Sequence, residues 1–200
     1  PRARLATMTR RQLLGMLGAV GAVVIGIPVG WSALAAVRFP SDRTPEGAYL
    51  RIVLALNKGN VRDAFPYLET EAQHALCTIH AYRRKALEII RKSFREPERS
   101  QWENAYREQG DAKDPPELWA RLAEKNGWVA RLRKDLSGIA SIERIGKRAT
   151  IETTGATRYP FREADNGIWG LTLFTAELVA HKERVSRDLQ IIEKTASDYG

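Results

Sequence analysis

Two hundred residues suffice for one globular domain with an appendage and leave no room for a second enzyme-sized domain. The formal charge of +8 is divided: Arg2, Arg4, Arg10 and Arg11 give the first 35 residues half of it with no acid, and the rest is spread along the chain rather than gathered in one patch, which argues against a nucleic-acid partner. Cys77 is the only cysteine, so no intrachain disulfide is possible, yet an export compartment stays open because a domain of this size buries enough core without staples.

The four arginines precede an uncharged run from Gln12 to Val37, and Arg38 and Arg43 follow it. As a helix those 26 residues would cover about 39 Å, more than the roughly 30 Å of a hydrocarbon core. The positive-inside rule keeps the arginine end cytoplasmic and sends the remainder outward. "TRRQLLG" resembles a twin-arginine export signal, and Ala33-Leu34-Ala35 is a triplet of the kind signal peptidase cleaves. The run is nevertheless longer than the apolar part of an ordinary signal peptide, so retention as an anchor is the expectation and cleavage the alternative. Pro1 fits removal of an initiator methionine, and Met8 is an alternative start. Gly18, Ala22, Gly26 and Gly30 recur every fourth residue, the small-residue stripe through which membrane helices approach one another, although Pro28 interrupts it.

"RFPSDRTP" reads as a linker. Thr44 is an N-cap with Pro45 at the first helical position, and Ala48, Tyr49, Ile52, Val53 and Leu56 form one helical face that stops near Gly59. A short helix is expected around Val61 to Leu68. A long one follows from Thr70 to about Arg95, with Leu76, Ile79, Leu87, Ile90 and Phe94 in register. Pro97 opens a segment holding Trp102 and Tyr106, "GDAKDPPE" breaks it and starts another with Leu118, Trp119 and Leu122, and Val129, Leu132 and Leu136 suggest one more. At Gly138 the period becomes two. Ile139 to Ile145, Ala149 to Thr154, Thr157 to Arg162 and Ile168 to Phe174 are predicted strands, joined by turns short enough to force an antiparallel meander. A last helix is expected from Ala176 to about Tyr199, with Leu178, Val185, Leu189 and Ile192 on its packing side. The predicted class is therefore α+β: an N-terminal membrane helix, then several helices packed on a C-terminal four-stranded antiparallel meander, ending in a long helix.

"TPEGAYLRIVLALNKGNVRDAFPYLE" resembles the opening helices of the NTF2-like (cystatin-like cone) superfamily, and "GKRATIETTGATRYPFREADNGIWGL" its closing strands. The resemblance implies helices packed on the concave face of a bent sheet. It further implies a cone-shaped cavity that some members use for ligands or for isomerase or dehydratase chemistry and many others only for partner binding. The helical block from about Pro97 to Leu136 and the long final helix depart from that pattern.

Candidates for chemistry are few. His74, Cys77 and His80 are spaced three apart and are metal-ligating types, but on a helix they spread over about 120°. His181 is far along the chain, so Cys77 is expected to be a buried apolar residue with no metal or catalytic role. Asp63, Tyr67, Glu69, Glu71 and His74 could serve a cone-type cavity as acid or base; caps or solvated charges at helix ends account for them equally, and no site residues carry over from the family. "RRKALEIIRKSFR", Arg83 to Arg95, reads as a solvated helix back or as a surface for anionic lipid. Trp102, Trp119, Trp128 and Trp169 read as core.

The sequence thus divides into an arginine-rich end and membrane segment (1–37), a linker (38–44) and an envelope-facing domain (45–200). It points to a non-catalytic accessory or assembly subunit of a bacterial membrane complex. That subunit would sit in the inner membrane with the domain on the periplasmic side, without cofactor or catalytic or metal residues, and with a protein partner through Gly18, Ala22, Gly26 and Gly30. The alternative is a small exported enzyme or ligand carrier using an NTF2-like cavity.

Overall fold

The structure, a computed structural model, describes residues 40–198. The uncharged run and the stripe of Gly18, Ala22, Gly26 and Gly30 lie outside the described residues, and among those described no helix is long and apolar enough to cross a membrane.

Thr44 caps the first helix as expected: its side chain accepts from Gly47 N, and Pro45 starts α1 (Pro45–Asn57). Gly59, at φ +70°, then lets the chain turn back. The short second helix is a 3-10 segment, Val61–Tyr67, with Pro66 inside it. Next come α2 (Thr70–Ser93), α3 (Glu98–Gly110), α4 (Pro115–Lys125) and α5 (Trp128–Arg133). Asp114 caps α4 by accepting from Glu117 N, and Gly127 at φ +70° separates α4 from α5.

The strands are β1 (Ile139–Ile145), β2 (Arg148–Thr153), β3 (Arg158–Glu163) and β4 (Trp169–Leu171), followed by α6 (Thr175–Asp198). They form one antiparallel sheet in the order β1-β2-β3-β4, the meander that the short turns dictate. β4 is shorter than its apolar run. The chain turns after Leu171, where Thr175 N donates to Thr172 O, and Phe174 O receives the first bond of α6 from Leu178 N.

One face of the sheet presents Ile151, Tyr159, Phe161 and Trp169, which meet Ala48, Tyr49, Ile52 and Leu68; every one of these is 3% exposed or less. Behind them Trp119, Trp128 and Phe174 stack with centroids 5.0 to 5.8 Å apart, and Trp119 Nε1 donates to Val61 O at 3.1 Å. The two 24-residue helices, α2 and α6, run in the same direction side by side, in step through Arg83–Asp188 and Lys85–Glu193. Their C-terminal halves and α3 enclose a second, smaller cluster of Ala86, Leu87, Ile90, Phe94, Tyr106, Leu189 and Ile192.

Asp135 ties the helical block to the sheet. Its carboxylate accepts from Ser137 N at 3.1 Å, from Ser137 Oγ at 2.5 Å and from Thr153 Oγ1, while its carbonyl accepts from Tyr159 Oη at 2.8 Å. Those hydroxyl donors hold the carboxyl far below the usual carboxylate range. Tyr49 Oη donates to Ser137 O at 2.9 Å, and burial, with Tyr159 nearby, pushes that phenol up to about 12.

Candidate functional site

Gly170 sits in a strand interior, where a glycine marks a close approach of another backbone. That backbone is Leu68–Glu69: Leu68 pairs parallel with Leu171, Glu69 N donates to Leu171 O at 3.0 Å, and a Cβ on Gly170 would lie 2.5 Å from Leu68 O. The crossing carries Glu69 over the sheet to Arg162, which stands beside Gly170 in the register. Glu69 Oε1 is 2.5 Å from Arg162 Nη1, and the residue is only 5% exposed. Glu69 is therefore neither a cap nor a solvated charge. Its backbone carbonyl starts α2 by accepting from Gln73 N, but its side chain makes no cap bond and is committed to the ion pair with Arg162.

This pair borders a cleft of about 510 Å³ lined by Glu69, Thr70, Glu71, His74 and residues 162–166. Three of the five acid or base candidates thus meet in one place. Glu71 and His74 stand exposed at its rim. Glu163 pairs with Arg144 at 3.0 Å, and Asp165 pairs with Lys147 at 2.9 Å, whose hydrogen bond and charge lower the Asp165 pKa. The cleft is open, with the carboxylates of Glu69, Glu163 and Asp165 each matched to its own cation. Asp63 and Tyr67 belong elsewhere, to a cleft of about 340 Å³ with Arg51, Leu54 and Lys58, where the Arg51 guanidinium lies 5.9 Å from the Tyr67 ring centre.

The His74, Cys77 and His80 trio does not converge. His80 is buried, and its Nε2–H donates to Ala112 O at 2.8 Å, because a carbonyl can only accept. His74 and Cys77 are exposed. The expectation that Cys77 is core is corrected: Leu76 and Ile79 define the buried face of α2, and Cys77 lies about 100° beyond Leu76. No group of three His, Cys, Asp or Glu side chains among the described residues is placed to hold a metal ion.

His181 has more surroundings than its isolation in sequence suggested. Its Nε2 lies 3.1 Å from Gln109 Oε1, which also accepts from Arg83 Nε at 3.2 Å, and Arg83 in turn pairs with Asp188 at 2.8 Å and lies over the Tyr106 ring. Burial, then the charges of Arg83 and Arg184, lower the His181 pKa to about 4 and leave the ring neutral at pH 7. It lines a cleft of about 480 Å³ with Trp128, Lys125 and Glu177. No short-range motif announces it, since its partners come from α2 and α3.

The basic run is neither a bare solvated back nor an unbroken basic surface. Arg83 and Lys85 reach Asp188 and Glu193 of α6, and Arg91 reaches Glu103 of α3 and Asp111. Of the tryptophans in the described residues, Trp119, Trp128 and Trp169 are core. Trp102 is a correction: at 38% exposed it covers Phe94 edge-on and Tyr106 at a tilt from outside.

Comparison with known proteins gives no match. No family model, no curated protein and no solved structure matches the chain.

Proposed function

We propose that this chain is a non-catalytic accessory or assembly subunit of a bacterial membrane complex, held in the inner membrane by residues 12–37 with its α+β domain on the periplasmic side. The observation that carries the reading is the filled interior. The sheet face that an NTF2-like cone would leave hollow for a ligand is closed by Tyr49, Ile52, Tyr159, Phe161 and Trp169, with Trp119, Trp128 and Phe174 stacked behind. The cleft beside Glu69 is open and ion-paired, better suited to touching another protein than to secluding a substrate from water. A 26-residue uncharged run with a small-residue stripe supplies the anchor and a place for a neighbouring helix.

The test is made in native membranes. The chain should resist alkaline carbonate extraction and should crosslink to a fixed set of membrane proteins. Gly26→Leu, which blocks close approach on the stripe, should abolish that association while insertion persists, and Val24→Leu, about 200° from Ala22, should be tolerated. A mature N-terminus at Ala36 in a soluble periplasmic fraction overturns the anchored reading. Equal association by both variants overturns the role of Gly18, Ala22, Gly26 and Gly30.

A further inference from the structure

We propose that the turn end of the sheet, with Ile145 at its tip, rests on the anionic lipid surface of the membrane that holds the anchor; the inference builds on the anchored reading above. The β1–β2 and β3–β4 turns lie at one end of the sheet, joined by Glu163 N to Lys147 O at 2.8 Å and by the Lys147–Asp165 pair. The polypeptide arrives at that same end. Trp169 N donates to Asp42 O at 3.2 Å, and Arg43 Cδ is 4.0 Å from where a Cβ on Gly167 would stand.

Four residues lie between Val37, the last of the uncharged run, and Asp42, so five Cα-to-Cα steps join the two. Fully extended they reach about 18 Å. This end of the sheet is therefore the part of the domain joined to the uncharged run by the shortest stretch of chain.

The chemistry at that end suits a lipid surface. Ile145 is 72% exposed, the most exposed large apolar side chain in the described residues, and the others above one-third exposed, Leu54, Trp102 and Ile191, are on helices. Arg148 stands directly opposite Ile145 across the hairpin. Arg144 and Lys147 are each neutralised by a carboxylate, whereas exposed Arg148 and Arg43 make no ion pair among the described residues. Each basic residue near an anionic surface favours contact about fivefold, and a tether keeps the local lipid concentration high, so a few such charges with one inserted isoleucine are enough to select an orientation.

The experiment uses the full chain reconstituted in vesicles of phosphatidylcholine with or without phosphatidylglycerol, in a Cys77→Ser background. A fluorescent label is placed on Ile145→Cys or, at the opposite end of the sheet, on Thr154→Cys, and quenching by spin-labelled lipid headgroups is measured. With phosphatidylglycerol present the label at 145 should be quenched severalfold more than that at 154. Arg148→Glu should reduce the difference while flotation with the vesicles is unchanged. Equal quenching at both positions in vesicles that carry the protein overturns the docking and leaves the anchor standing. Stronger quenching at 145 that ignores phosphatidylglycerol overturns the anionic preference. A chain that fails to float overturns the anchor, and the docking with it.

Discussion

Gly170→Ala tests the backbone crossing that positions Glu69. The added Cβ would sit 2.5 Å from Leu68 O and 2.7 Å from Glu69 Cα and N, all backbone atoms with no rotamer to change. Ordinary carbon–oxygen contact begins at about 3.3 Å, so the crossing must retreat by about 0.8 Å. Overpacking of this kind costs about 1 to 3 kcal/mol, and losing the Glu69 N to Leu171 O bond adds about 1 kcal/mol. A central figure of about 3 kcal/mol lowers Tm by about 6 to 12 °C in a domain of this size. The assay is thermal unfolding of the full chain in detergent, followed by circular dichroism. Gly59→Ala is the comparison: its φ is +70° but nothing lies within 4 Å, so only the left-handed backbone is penalised, by about 1 kcal/mol. A Gly170→Ala protein that melts within about 2 °C of wild type refutes the close approach.

Asp135→Asn should destabilise the chain at pH 7, and the gap should narrow as pH falls below about 4, because the wild-type carboxyl is depressed in the fold and the unfolded chain takes up its proton first; urea unfolding at pH 7 and pH 3 compares the two. His181 has the opposite geometry and the same sign. Its pKa falls from 6.5 to about 4 on folding, so the unfolded state binds the extra proton between those values and stability should rise with pH across that window. His181→Gln should flatten that part of the profile; an imidazole titrating near 6.5 by NMR in the folded protein contradicts the account. Cys77→Ala should change stability by no more than about 0.5 kcal/mol, as an exposed substitution does, and the native thiol should react fully with a thiol reagent before unfolding.

Much of the architecture was written in local chemistry. Thr44-Pro45, Asp114-Pro115 and Gly127 mark helix ends through caps and a left-handed turn, and β1 spans the Ile139 to Ile145 run between Gly138 and Gly146. What escaped depends on partners far away. β4 stops early because Thr172 to Thr175 bends into α6, a matter of where that helix docks rather than of strand propensity. Glu69 looked like an ordinary charge at a helix start, and its burial follows from Arg162 and from the crossing over Gly170, about 100 residues on. The glycine in Trp169-Gly170-Leu171 was the available signal. Cys77 was misplaced by residue type, although the positions of Leu76 and Ile79 already turned it outward. The basic run was legible as charge but not as pairing, since its acids are on α3 and α6.

The two apolar clusters give the domain two levels of cooperativity. The larger one is closed by sheet and helices together, whereas the smaller holds seven buried residues and only Tyr106 among them comes from α3. α2 and α6 belong to both clusters, so each is fastened along its first half even when its second half loosens. A local opening can therefore release α3, its Glu103 tie to Arg91 of α2 included, at a fraction of the free energy of global unfolding, with the sheet and its hydrogen-bond ladder still shielded from solvent exchange.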